Sequence, residues 1–111
     1  MAKDLHFTML LDVYGALLTE KQRETLEFYY NDDLSLGEIS EETGITRQGV
    51  MNCIKKTEQR LVELENQLGL VKRFEELKSD IEALEEMVLD VCDKAKVNDI
   101  KLLIDSIKNK L

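Results

Sequence analysis

Arg47, Gln48 and Asn52 are the residues of this chain whose types and spacing suit a defined chemistry, together with Thr46 before them and Lys55, Lys56 and Arg60 after them. A guanidinium forks onto the acceptor edge of guanine, and a primary amide pairs with the donor and acceptor edge of adenine. A threonine hydroxyl at a helix start reaches a phosphate, and lysines and arginines that follow can track the backbone. At helical spacing Thr46, Arg47, Gln48, Met51, Asn52 and Lys55 project from the face opposite Val50, Cys53 and Ile54. Each residue taken alone suits a solvated helix surface equally well; jointly the set favours binding to nucleic acid.

Catalysis finds no comparable set. The single histidine, His6, lies near a terminus, and no glycine-rich phosphate loop occurs. Cys53 and Cys92 have no local histidine or basic cluster to activate them, and two cysteines this far apart make neither a disulfide scaffold nor a zinc site. Both lie on apolar helical stripes and are expected as buried, reduced thiols. The acid pairs Glu75-Glu76 and Glu85-Glu86 flank heptad positions where solvated charges belong. The expectation is a protein that is not an enzyme and needs no metal or cofactor.

The elements that must position the basic set follow from the spacing around it. Residues 36–55 read as a helix-turn-helix, with Ile39, Ser40, Gly44, Ile45, Val50 and Cys53 spaced so that two short helices cross about a tight turn and share one small core. Ser35 and Glu38 have capping-box spacing for the first helix, 36–43. Gly44 supplies the left-handed exit, and Thr46 caps the second helix, which begins at Arg47. Upstream, Phe7, Leu10, Leu11, Tyr14, Leu17 and Leu18 describe an amphipathic helix. Thr19 and Gln22 open another that runs through Leu26, Tyr29 and Tyr30 to the stop at Asn31-Asp32-Asp33.

Downstream, Val50, Ile54, Thr57, Leu61, Leu64 and Leu68 carry the fourth helix well past any base-reading segment, until Gly69 breaks the phase. Leu70, Phe74, Leu77, Ile81, Leu84, Val88 and Val91 then repeat as a heptad seam, and a last stripe of Ile100, Leu103, Ile104, Ile107 and Leu111 follows Asn98, a candidate N-cap. A heptad seam closes either an intramolecular hairpin or an interface with another copy. A chain this small has little core to cover it, so the seven seam residues are expected to form a homodimer interface. The division that results is a helix-turn-helix DNA-binding region at 1–68 and a C-terminal helical extension at 69–111, expected to form one compact unit because no low-complexity linker separates them.

Composition agrees: 111 residues, no proline, five glycines and 34% charged residues suit an all-α chain. No apolar run reaches membrane-spanning length and the start lacks the features of a secretory signal, so a cytoplasmic protein is expected. A net charge of −8 opposes bulk attraction to a phosphate backbone, but its distribution is uneven. Residues 20–45 hold eight acids against Lys21 and Arg23, whereas residues 46–60 hold Arg47, Lys55, Lys56 and Arg60 against Glu58. The basic island is the second helix of the motif.

At 18–61, LTEKQRETLEFYYNDDLSLGEISEETGITRQGVMNCIKKTEQRL, the chain resembles region four of bacterial sigma factors, in which an LT-x-x-QR helix precedes a helix-turn-helix of the same layout. Over its whole length, with the N-terminal stripe ending in DVYGALLT and the acidic heptad tail, it resembles the YlxM family of small bacterial helix-turn-helix proteins. The resemblance implies a tetrahelical, sigma-like DNA-binding fold with the recognition helix at 46–56. It also implies a link to protein targeting, because genes of that family commonly sit beside those of the signal recognition particle GTPase and its receptor. The chain lacks a sigma factor's other promoter-binding regions. Two functions are therefore expected: a dimeric DNA-binding transcriptional regulator, or an accessory component of the signal recognition particle pathway acting through protein or RNA.

Overall fold

In a computed structural model, which describes residues 4–91 and 93–111, all regular structure among the described residues is helical. The N-terminal stripe forms α1 (His6–Tyr14) and runs into a tighter turn of 3-10 helix at Gly15–Leu17, which buries Leu10, Leu11, Tyr14 and Leu18 while leaving Leu17 exposed. Helix α2 (Glu20–Leu26) opens on the expected capping box: the Thr19 hydroxyl oxygen accepts from the Gln22 amide N–H at 3.2 Å, and Gln22 Oε1 accepts from the Thr19 N–H at 3.2 Å. The same helix continues to Asn31 as a wider π turn over Glu27–Asn31, which brings Phe28, Tyr29 and Tyr30 against the core.

Helix α3 (Leu36–Thr43) begins on the Ser35–Glu38 capping box and ends at Gly44, whose φ of 75° is open to glycine and costly for a residue with a Cβ. In the turn, the Ser40 hydroxyl donates to the Ile45 carbonyl and the Thr43 hydroxyl to the Ile39 carbonyl at 2.8 Å, so carbonyls freed by the turn keep partners. Thr46 then caps α4 (Arg47–Leu68), its hydroxyl oxygen accepting from the Gly49 N–H at 3.0 Å. Helix α4 is the spine of the first unit: α1, α2 and α3 all pack on its Val50, Ile54, Thr57, Leu61 and Leu64 face. The shared core also takes in Leu26, Ile39 and Val71.

Two compact units divide the chain at Val71, Met1–Val71 and Lys72–Leu111. The first therefore reaches over Gly69, which ends α4 at φ 62°, into the opening turn of α5 (Leu70–Val91). That turn's amide donors are met by side chains: Leu70 N–H donates to the Tyr14 hydroxyl at 3.0 Å and Val71 N–H to Glu65 Oε1 at 3.0 Å. Tyr14 in turn donates to Glu65 Oε1 at 2.5 Å, closing a half-buried network. Burial and the Glu65 acceptor, in that order, raise the Tyr14 pKa above the usual phenol value.

The second unit contains the rest of α5 and α6 (Lys94–Asn109). Helix α6 starts earlier than the sequence spacing predicts, because Asp93 and not Asn98 is its cap: an Asp93 oxygen accepts from the Ala95 N–H at 3.4 Å, and the added turn half-buries Val97. Ile104 is buried, Phe74, Ile81 and Val88 are half-buried, and Glu85 pairs with Lys108 Nζ at 3.3 Å. The α5 seam is thus split by exposure, because Leu77, Leu84 and Val91 remain open to solvent. No helix among the described residues is long and apolar enough to cross a membrane.

Candidate nucleic-acid interface

Capping and core burial together orient the first turns of α4. Thr46 fixes where the helix starts, and the fully buried Val50, with Ile54 beside it, fixes the inward face. Thr46, Arg47, Gln48, Asn52, Lys55, Lys56 and Arg60 are accordingly exposed, while Met51 is half-buried. The expected side chains share one helix, but they are held differently.

Gln48 Nε2 donates to Asn52 Oδ1 at 3.2 Å, so the two amides one turn apart are joined into a pair whose remaining donors and acceptor are left for a ligand. The Thr46 oxygen is occupied by the cap, which leaves its hydroxyl hydrogen to donate. Arg60 lies 3.8 Å from Glu63, an exposed pair that salt screens. Lys55 and Lys56 have no ion pair among the described residues.

Arg47 folds back over α3. A Cβ built on Gly37 would stand 2.9 Å from Arg47 Nη2 and 3.2 Å from Nε and Cζ, so the guanidinium lies against the backbone of the preceding helix. The absence of a side chain at Gly37 is what makes that place available. Sequence spacing gave Arg47 an outward direction and carried no sign of this contact, apart from the cost of a glycine in the first turn of a helix. Gly49 makes a second close approach: a Cβ there would lie 2.5 Å from Ile45 Cγ2, and Ile45 closes the turn through that gap.

The acid within the basic island is turned aside. The Tyr30 hydroxyl donates to Glu58 Oε1 at 2.7 Å, and Glu58 is half-buried against the π turn. Burial first, and then this hydrogen bond, push the Tyr30 pKa well above its ordinary value of 10.0. A negative charge one turn from Lys55 is thereby directed toward the Tyr30 hydroxyl.

Cys53 departs from expectation, being half-buried and not enclosed. Its neighbourhood is a cleft of about 320 Å³ between the start of α2 and the side of α4, lined by Thr19, Lys21, Gln22, Gly49, Asn52, Cys53 and Lys56. Packing of α2 on α4 creates it, so spacing within either helix does not announce it. A second groove, lined by Glu20, Lys21, Glu24, Thr25, Glu42, Thr43 and Ile45, is acidic. Among the described residues no group of three or more His, Cys, Asp and Glu side chains is placed to hold a metal ion. Cys92 lies outside the described residues.

The family profile matching residues 1–103 is UPF0122, described as "Putative helix-turn-helix protein, YlxM / p13 like". Similar proteins include a UPF0122 protein of Thermoanaerobacter sp. (strain X514), 41% identical over 107 residues that cover 96% of this chain and 92% of that protein. Another, from Caldanaerobacter subterraneus subsp. tengcongensis, is 51% identical over 84 residues, 76% of this chain and 72% of its own. A third, from Halalkalibacterium halodurans, is 46% identical over 86 residues, 78% of this chain and 79% of its own.

Proposed function

The chain belongs to the UPF0122 family of YlxM/p13-like helix-turn-helix proteins, and from that premise we propose that it is a sequence-specific DNA-binding regulator of transcription that acts as a homodimer. One observation carries the reading. The second helix of the motif presents Gln48, Asn52, Lys55 and Lys56 on an exposed face, capped by Thr46, in a chain otherwise dominated by acid. In this reading α4 enters the major groove, its first two turns read base edges, and Lys55, Lys56 and Arg60 hold phosphates. The Gln48–Asn52 pair suits an adenine edge, since the bond between the amides orients them before contact. Arg47 reaches guanine by leaving its place over Gly37.

The test is binding of a duplex selected from a random library by the wild-type protein and by the Arg47→Ala/Gln48→Ala double variant. Loss of about 1–3 kcal/mol per base contact, with relaxed preference at two positions, is expected. Unchanged affinity and preference in the double variant would sink the proposal.

A second reading draws on the net charge of −8. An acidic protein with a basic first half of α4 also suits an accessory role in the signal recognition particle pathway, with α4 meeting RNA or protein and the acidic surface docking a partner. Copurification from a bacterial lysate separates the readings. Targeting components recovered after nuclease treatment favour protein docking, nuclease-sensitive recovery favours the particle's RNA, and recovery of defined DNA fragments favours regulation.

A further inference from the structure

The cleft between α2 and α4 is lined mostly by apolar surface, and the polar side chains among its lining residues have mainly donors left to offer. Each side-chain oxygen on its walls is already engaged as an acceptor: Thr19 Oγ1 by the Gln22 N–H, Gln22 Oε1 by the Thr19 N–H, and Asn52 Oδ1 by Gln48 Nε2. What these residues have left to offer is the amide hydrogens of Gln22 and Asn52 and the ammonium groups of Lys21 and Lys56. Neither lysine has an ion pair among the described residues and no acid lines the cleft, although Lys21 also lines the neighbouring acidic groove with Glu20, Glu24 and Glu42. The capping box accounts for the polarity, since the backbone N–H of Thr19 holds the Gln22 oxygen and leaves the amide nitrogen to face away from it.

A concave surface with donors on both walls, two of them cationic, and its side-chain oxygens already engaged fits an anion that carries several acceptor oxygens. Its position selects the anion. Asn52 and Lys56 belong both to the cleft and to the exposed face of α4, so whatever fills the cleft lies beside whatever that face reads. We propose that this cleft receives a phosphodiester of duplex DNA flanking the bases read by α4, with Lys21 on α2 and Lys56 on α4 as the opposed cationic contacts and the Gln22 amide as a neutral donor. The inference rests on the DNA-binding reading and extends the contact surface onto a helix outside the motif. Lys21 and Gln22 become positioning contacts that set the register of α4 in the groove and carry no base preference.

The test measures the salt dependence of duplex binding by fluorescence anisotropy for the wild type, Lys21→Gln and Arg23→Gln. Arg23 lies on the same helix α2 and its replacement removes the same charge, but it does not line the cleft. Loss of one phosphate contact lowers the slope of log Kobs against log salt by about 0.9. Lys21→Gln is expected to lower it by that amount for each bound subunit, and so twice over for a dimer on a two-fold duplex, with base preference retained, and Arg23→Gln to leave it in place. An independent readout is Cys53, which lines the same cleft: in a Cys92→Ala background, saturating duplex should slow alkylation of the Cys53 thiol at least about tenfold.

If the wild type binds duplex but the Lys21→Gln slope is unchanged, or if Arg23→Gln shifts it equally, the cleft is not a phosphate site and the proposal falls while DNA binding stands. Undiminished Cys53 alkylation in the saturated complex overturns it in the same way. Absence of duplex binding by the wild type removes the DNA-binding reading and this inference together. A Lys21-dependent slope seen on RNA and absent on DNA overturns the assignment of the phosphodiester to DNA.

Discussion

At Tyr30 and Tyr14 two phenol hydroxyls are committed to carboxylates, and both pKa values are raised, with burial the larger cause and the acceptors Glu58 and Glu65 the next. In the unfolded chain these groups ionise near pH 10, earlier than in the fold. Their contribution to stability is therefore complete below about pH 10 and is lost as the pH rises beyond it, because the native state then holds more protons than the unfolded one. The urea midpoint should fall as the pH rises from about 10 to about 11, and Tyr30→Phe should make that fall shallower. An identical fall in Tyr30→Phe and the wild type removes Tyr30 from the account, since lysines also titrate in this range. Gly37 carries a second prediction. Alanine in a helix is worth up to about 1 kcal/mol over glycine, but the methyl group that Gly37→Ala adds would meet the Arg47 guanidinium, which must swing away. Gly37→Ala should therefore stabilise the Arg47→Ala variant more than the wild type in urea unfolding. Equal gains in both backgrounds would show that the contact has no energetic weight.

Caps made the elements legible in the sequence where packing did not. Thr19–Gln22, Ser35–Glu38, Gly44 and Thr46 each act locally, within four residues, and the structure uses all of them as their spacing predicts. The start of α6 was not legible in the same way, because Asp93 and Asn98 are both competent caps and local chemistry does not rank them. The 3-10 turn after Tyr14 and the π turn at Glu27–Asn31 arise where aromatic side chains settle into the core, and they leave no periodic trace. The candidate site divides along the same line. The helix that carries Gln48, Asn52, Lys55 and Lys56 could be read from spacing, whereas the Arg47–Gly37 contact, the Tyr30–Glu58 bond and the cleft facing Lys21 are contacts between separate helices. The turn itself is open to test. Gly44→Ala places a Cβ at φ 75° and should cost about 1–2 kcal/mol. Ser35→Ala removes a cap and should cost about 0.5–2 kcal/mol. Chemical denaturation reads both. A Gly44→Ala protein as stable as the wild type would mean that the turn does not require the left-handed conformation.

Charge and exposed apolar surface, taken across the molecule, bear on the homodimer proposed above. A protein of net charge −8 gains little from bulk attraction to DNA, so the proposed DNA binding would rest on few contacts, which a two-fold site doubles. The second unit has the surface for it. Leu77, Leu84 and Val91 share one stripe of α5 and are 41%, 56% and 86% exposed, and Leu103 of α6 is 64% exposed. Exposed apolar side chains on so small a unit suit the proposed interface with a partner. Charge favours a second copy as the occupant: beyond the Glu85–Lys108 pair within the chain, α5 carries Glu75, Glu76, Glu82 and Glu86 in excess over its bases, whereas α6 carries Lys94, Lys96 and Lys101 in excess over its acids. Two copies related by a two-fold axis can set α5 of each beside α6 of the other, with apolar stripes inside and opposite charges at the rim. Burying a leucine side chain is worth about 1.5–3 kcal/mol, so Leu77→Ser with Leu84→Ser should weaken the dimer by at least about a hundredfold in sedimentation equilibrium, with helix content unchanged. High salt should weaken the wild-type dimer much less than the double substitution does, because apolar burial is insensitive to screening. A wild-type protein that sediments as a concentration-independent monomer would remove the two-fold model, and the proposed DNA binding would then rest on a single α4 and the cleft beside it.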